Sequence, residues 1–233
     1  MDTNSIIDVE KKEILHFFKK IGVDTRFVSV VPPNILINNH RFSKFSRTKE
    51  ELFKKNYPEM KVIRSTVFQK ICARASKVLG ESLNPRERIL INKSLDPSDK
   101  ALSVILEPYT RKYGITIIEK EFNLNENDIN EEFDSIALPL TLDHEVENIL
   151  GQIFTGEKVK LESSQNKWGD KKIIYPLINV PLEWICSWQE LENCTINEGN
   201  ELAHEFLAYL ESVVPQVREN IRKSGRFLTE DIE

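Results

Sequence analysis

Four residues in one short stretch have the types and spacing to hold an anion: Ser94, Ser98, Asp99 and Lys100. They lie within Arg86 to Leu106, RERILINKSLDPSDKALSVIL, where Ile89, Leu90 and Ile91 read as a strand and Asp96 to Asp99 as a tight loop. A helical pattern opens at Lys100. A loop that leaves the carboxyl end of a strand and enters a helix points free backbone N–H groups and the positive helix end at one place. The Ser94 and Ser98 hydroxyls and the Lys100 ammonium would then hold phosphate, and Asp99 would hold Mg²⁺. Loops that cradle phosphate use glycine to let the backbone approach the ligand, and this one has none. Asp96 and Asp99 would also repel phosphate. The stretch therefore indicates a fold and an ancestry more firmly than an activity.

The elements that must position these residues follow from the same reading. After the first strand and helix, Ile115 to Phe122 is expected as a second strand, which closes a β-α-β unit. Ser135 to Leu142 is expected as a third strand leading into a helix from His144 to Phe154. The acidic segment Asn123 to Glu132 between them is short for a parallel crossover, so a helix there is missing or stunted. A polar insertion follows Gly156, then a strand at Ile173 to Ile178, a helix at Pro181 to Gln189 and a final helix at Glu198 to Val214. Upstream, residues 6 to 21 form an amphipathic helix stopped by Gly22, and Thr25 to Val31 and Ile35 to Ile37 form short strands around Pro32-Pro33. A helix from near Ser65 to Gly80 buries Phe68, Ile71, Ala75 and Val78.

Composition assigns the chain to soluble globular proteins: 233 residues, 40% hydrophobic and 30% charged, with no run near the roughly 20 apolar residues that a membrane span needs. The start, MDTNSIIDVEKK, lacks the layout of a secretory signal, so a cytoplasmic location is expected. Cys72, Cys186 and Cys194 are read as free thiols, since they are odd in number and form no C-x-x-C pair. The net charge of −5 is unevenly divided: residues 1 to 85 carry 16 Lys+Arg against 9 Asp+Glu, and the remainder 16 against 28. Between Arg41 and Lys77 eleven basic residues alternate with Phe42, Phe45, Phe53, Tyr57 and Phe68, the mixture an RNA-facing surface needs. Arg41, Lys44, Arg47, Lys70, Arg74 and Lys77 are the candidate RNA contacts, and a merely solvated basic face is the alternative. No metal site is expected. His144, Glu145 and Glu147 do not share a helical face, and Trp184 and Trp188 are read as core or interface.

Taken in order, these pieces resemble the PP-loop ATP pyrophosphatase superfamily, in particular tRNA 2-thiolation proteins of the cytosolic thiouridylase and 2-thiocytidine type. The resemblance covers about residues 66 to 228. Ile89 to Lys100 takes the place of the strand ending in Ser-Gly-Gly-x-Asp-Ser, with Asp99 at the motif's Asp, Lys100 at its last Ser and both glycines gone. Pro139 to Leu150 echoes Gly-His-Asn-x-Asp-Asp-x-Ala-Glu-Asn-x-Leu through Asp143, Glu147, Asn148 and Leu150. Phe154-Thr155-Gly156, Tyr175-Pro176-Leu177-Ile178 and Glu211 to Leu228 match later motifs. The resemblance implies a small, mostly parallel Rossmann-like α/β sheet with flanking helices at residues 65–233, preceded by a basic α/β appendage at 1–64. Where ATP binds, Asp99 or Asp143 is expected to hold Mg²⁺.

No cysteine falls at the family's positions, and the flanking zinc modules are absent. The expected function is therefore a non-catalytic accessory or paralogous subunit in tRNA 2-thiolation, binding tRNA or a partner protein of a tRNA-modification complex, with no cofactor and no membrane. An active ATP- and Mg-dependent tRNA-modifying enzyme with a divergent loop is the first alternative. A fold-only relative with a scaffolding role is the second.

Overall fold

The computed structural model describes residues 3–122, 132–191 and 201–230. The expected break in the crossover at Asn123 to Glu132 falls almost wholly outside them, as does Cys194.

Helix α1 (Thr3–Lys20) buries Ile14 and Phe18, one turn apart, and Gly22 stops it at φ 71°, the left-handed conformation that glycine adopts without strain. A 3₁₀ turn at Thr25–Phe27, whose Arg26 amide donates to the Asp24 side chain, delivers the chain into β1 (Val28–Val31). The Pro32-Pro33 bond is cis, and the chain doubles back as β2 (Asn34–Ile37), antiparallel to β1. Helices α2 (His40–Ser43) and α3 (Arg47–Asn56) then carry it to β3 (Lys61–Ile63), parallel to β2. Asn39 and Ser46 cap these helices with side-chain oxygens, which is why the boundaries fall there. Phe18, Phe45 and Phe53 pack edge-on or tilted, with centroids 4.8 to 6.2 Å apart, and fill the centre of this small unit.

Helix α4 (Thr66–Ser82), capped by Ser65, leads to the larger sheet. Strand β4 (Arg88–Asn92) is followed by α5 (Pro97–Leu106), α6 (Tyr109–Lys112) and β5 (Thr116–Lys120). Strand β6 (Ser135–Ala137) is followed by α7 (Leu142–Thr155), β7 (Lys167–Trp168) and β8 (Lys171–Ile174). Helices α8 (Leu182–Gln189), α9 (Glu201–Val213) and α10 (Val217–Glu230) complete the fold. The strand order is β5-β4-β6-β8-β7, parallel except for β7. This is the mostly parallel α/β sheet expected from the sequence, and its order reverses between β4 and β6, where open α/β sheets bind ligands.

Two strands are shorter than expected. The third ends at Ala137 because Pro139 cannot continue a ladder, and the last central strand ends at Ile174 before Pro176. The end of the polar insertion is itself structured, since Gly169 (φ 60°) turns Trp168 back onto Lys171 as the β7–β8 hairpin.

The small unit is bonded to the larger one by buried polar groups. Glu107, 5% exposed at the end of α5, accepts from the Val30 amide at 3.0 Å and pairs with Lys11 at 2.8 Å. Arg111 grips the same carboxylate at 2.5 and 2.7 Å and donates to the Thr25 and Val28 carbonyls. Leu36 of β2 packs into the same apolar cluster as α4, α5 and α8.

Candidate functional site

At the carboxyl end of β4 the loop has closed on itself. The Ser94 hydroxyl donates to Asp99 Oδ2 at 2.5 Å and accepts from the Asp96 amide at 3.0 Å. Asn92 Nδ2 donates to the same Asp99 oxygen at 3.3 Å. Asp96 is the N-cap of α5, and its Oδ1 accepts from the Ser98 amide at 2.7 Å. A carboxylate of the chain thus occupies the helix N-terminus, where a phosphate would be placed.

Beside this loop is a cavity of about 520 Å³, the size of a small-molecule site. Ser94, Asp99 and Lys100 line it. So do Lys93, Glu119 of β5 and Trp188 of α8, and Asn34, Leu36 and Lys61 of the small sheet form the facing wall. Lys93 was within reach of a sequence reading, one residue from Ser94. Lys61 was not, because only the docking of the small sheet brings it there. Ser98 is buried at 3% exposure and does not line the cavity.

Asp99 is the chemically unusual group. It is 5% exposed, and its Oδ1 has no partner. Burial pushes its carboxyl above the usual carboxylate range, the Ser94 hydrogen bond pulls it back in part, and Asp96 adds repulsion. Because the folded chain holds this proton more tightly than the unfolded one, the ionised group costs stability, and that cost grows as pH rises through the folded value. Asp99→Asn keeps an acceptor for Ser94 and removes the buried charge. It is expected to stabilise the fold by about 1 kcal/mol and to raise Tm by roughly 2–4 °C, and thermal melts at pH 7 check it. A Tm equal to or below that of the wild type contradicts the assignment.

Asp143 does not join this loop. It is buried at the start of α7, where its Oδ2 accepts from the Leu182 amide at 2.5 Å and its Oδ1 lies 2.8 Å from Arg218 Nε of α10, an ion pair poorly aligned as a hydrogen bond. The next two acids of α7 are equally committed. Glu145, fully buried, accepts from the Glu162 and Ser163 amides and the Ser163 hydroxyl. Glu147 lies 2.7 Å from His204 Nδ1 on α9. Both oxygens of Asp143 serve α8 and α10, and the residue does not line the cavity beside Asp99. Helix α8 ties the neighbourhood together: its first amide is bound by Asp143, and at its other end Gln189 Nε2 donates to the Pro97 carbonyl at 2.7 Å. It thereby spans the starts of α5 and α7, on either side of the point where strand order reverses.

The six candidate RNA contacts fall into two neighbouring groups. Arg41, Lys44 and Arg47 lie on or beside α2 and α3, and Lys70, Arg74 and Lys77 on α4. The His40 amide donates to Gln69 Oε1 at 3.1 Å, which sets α2 against α4. Arg41, Lys44, Lys70 and Lys77 are exposed, whereas Arg47 pairs with Glu50 at 3.2 Å. Arg74 is committed: it lies 4.3 Å from the Trp184 ring centroid, donates to the Asn179 carbonyl at 2.7 Å and pairs with Glu219 at 3.2 Å. The aromatics proposed to stack on bases are core, since Phe45, Phe53 and Phe68 are at most 1% exposed; Phe42 alone is mostly exposed, against Phe27.

The overlap with known structures is now interpretable. The U34-tRNA thiolase NcsA from Methanococcus maripaludis, solved with its 4Fe–4S cluster, superposes over 76% of this chain and 84% of its own with a TM-score of 0.52 at 14% identity. The fold resembles that of this thiolase. In sequence, 101 residues of the chain, 42% of it, are 27% identical to a probable sulfurtransferase of Methanocaldococcus jannaschii. The match spans 30% of that relative's length. No protein-family profile matches the sequence.

Among the described residues the cysteines do not suit a cluster. Cys72 is free but buried, and burial pushes its thiol far up; Cys186 is disulfide-bonded, which corrects the expectation of a free thiol. Among the described residues no group of three or more His, Cys, Asp or Glu is placed to hold a metal ion. No described helix is long and apolar enough to cross a membrane.

Proposed function

We propose that this chain is a non-catalytic PP-loop-like protein, an accessory or paralogous subunit of cytoplasmic tRNA 2-thiolation that contacts tRNA through the α2–α4 basic face. The Asp96 cap carries the reading. A glycine loop offers open amides to a triphosphate, whereas here the Ser98 amide is already taken by a carboxylate and Asp99 stands directly behind it. Bringing a triphosphate into that position would stack its negative charge on two aspartates and break the cap. Kinship of fold to a U34-tRNA thiolase and of sequence to a probable sulfurtransferase supports tRNA as the partner class. Exposed Arg41 and Lys77 supply charge for the phosphate backbone.

One observation favours a second reading. Lys93 and Lys100 line the cavity beside Asp99, so a nucleotide would be held there by lysine side chains instead of backbone amides, in an active ATP-dependent enzyme.

Calorimetric titration with ATP and Mg²⁺ separates the two. The expected result is no binding up to millimolar nucleotide, with tRNA binding that weakens steeply as salt rises and is lost in Arg41→Glu/Lys77→Glu. Micromolar ATP binding abolished by Lys100→Ala overturns the proposal and establishes the second reading.

A further inference from the structure

Of the rings that the sequence interleaves with lysines and arginines, Phe42 did not go into the core. It is 53% exposed, while Phe18, Phe45 and Phe53 fill the centre of the small unit without it. A single exposed phenylalanine means little by itself. What distinguishes this one is how firmly it is held and what surrounds it. Phe27 backs its ring, with centroids 5.3 Å apart at 34°. The turn that carries it is pinned along its length: the Phe42 amide donates to the Asn39 side chain at 3.0 Å, the Asp24 amide to the Ser43 carbonyl at 2.8 Å, and Lys49 Nζ to the Lys44 carbonyl at 2.9 Å. The ring is therefore a fixed flat surface open to solvent. Its neighbourhood is cationic. From Thr25 to Lys49 the chain carries Arg26, Arg41, Lys44, Arg47 and Lys49 and no acidic residue. Arg26, Arg47 and Lys49 are committed to Asp24, Glu50 and backbone carbonyls, but Arg41 and Lys44, which bracket Phe42 in the chain, are exposed. Arg41 reaches over the ring, its guanidinium carbon 6.0 Å from the centroid. The hydrogen bond from the His40 amide to Gln69 brings the exposed Lys70 of α4 to the same face.

We propose that Phe42 is a stacking platform for an unpaired base, so that this basic face takes single-stranded or looped RNA in preference to a regular duplex. The proposal rests on the reading of the α2–α4 face as RNA-facing and adds which part of an RNA it would take. Lysines and arginines alone meet phosphates on any RNA, paired or not. An aromatic ring stacks only on a base that has left its helix, because each base inside an A-form duplex is covered on both sides by its neighbours. Charge and ring together favour RNA over a protein as the occupant. Each nucleotide supplies one flat base and one phosphate, and those are the two chemistries that Phe42 and its flanking cations match side by side. A base on Phe42 leaves its flanking phosphates to Arg41, Lys44 and Lys70, and the Arg41 guanidinium can lie against the outer side of that base.

Fluorescence anisotropy of a short labelled oligouridylate and of an RNA duplex of equal length, each titrated with the full chain at low salt, tests this. The wild type is expected to bind the single strand more tightly than the duplex. Phe42→Ala is expected to weaken the single strand about tenfold and to leave the duplex unchanged. Phe42→Leu, which keeps an apolar group against Phe27, should weaken the single strand as much, whereas Phe42→Trp should bind it like the wild type. A merely structural role for the ring would be met by leucine. Charge and stacking also separate in the salt dependence: Arg41→Ala lowers the slope of log K against log salt by about 0.7, and Phe42→Ala leaves it unaltered. Single-strand binding that is unchanged in Phe42→Ala or in Phe42→Leu, or equal weakening of both RNAs, overturns the inference and leaves a face that is electrostatic alone. A wild-type chain that binds neither RNA overturns the RNA reading of the face together with the inference, and leaves Phe42 to a protein partner.

Discussion

Replacing Glu107 by alanine lowers the melting temperature by roughly 10 °C, corresponding to about 3–5 kcal/mol for a chain of this length. The size follows from what is left behind. Arg111, itself largely buried, loses both of its carboxylate contacts, the Val30 amide loses its acceptor, and Lys11 of α1 loses its ion pair. Uncompensated buried charge is the most costly product of a single substitution. Glu107→Gln retains an acceptor for Val30 and so costs less. The pH dependence separates the charge from the shape. Burial pushes the Glu107 carboxyl up, but the hydrogen bond from Arg111, with the charges of Arg111 and Lys11, holds it below the usual carboxylate range. The unfolded chain then binds more protons than the folded one near the ordinary value, so this stabilisation is complete above that value and is lost as pH falls through the folded one. Melts of the wild type and Glu107→Gln between neutral and acid pH should converge as the medium becomes acidic. Parallel curves would show that the charge contributes nothing.

The second large effect is at Asp143. Asp143→Ala is expected to cost about 2–3 kcal/mol, because the Leu182 amide loses its acceptor and the partly buried Arg218 keeps only Glu211. Asp143→Asn keeps an acceptor for the amide and loses only the ion pair, so it should cost about half as much. Neither loss should change when Mg²⁺ is added or chelated. If Asp143→Asn melts like the wild type while its melting loses a Mg²⁺ response that the wild type has, the residue is a metal ligand and the structural role assigned to it is wrong.

The larger sheet was legible because each of its strands is a short apolar run bounded by a turn signal: Ile89 to Ile91 before Asp96-Pro97, and Ile117 and Ile118 after Gly114. The small unit was legible in part, since Gly22 and Pro32-Pro33 mark its ends, but the parallel pairing of β3 with β2 rests on contacts across more than twenty residues that no local pattern carries. At the site the sequence revealed the missing glycines, and a cap at Asp96 could have been read from Asp-Pro-Ser-Asp. What it could not reveal was the direction of the α7 acids. Asp143, Glu145 and Glu147 look like a functional cluster in one dimension, but on a helix they diverge by about 100° per residue and each meets a different element. Phe45 and Phe53 misled for a related reason. Aromatics among lysines read as a stacking surface until the fold shows that the rings point inward and only the charges remain outside.

The double attachment of α8 bears on how readily the loop after β4 could be opened to a phosphate. Restoring glycine at Asp96 and Pro97 would free the Ser98 amide, but Gln189 would still fasten the carbonyl of residue 97 and Asp99 would still stand behind the loop. Releasing Gln189 would in turn detach one end of a helix whose other end is fixed to α7 and, through Asp143, to α10. Opening the loop would therefore require substitutions in segments some ninety residues apart in the chain, because one helix holds the starts of both α5 and α7.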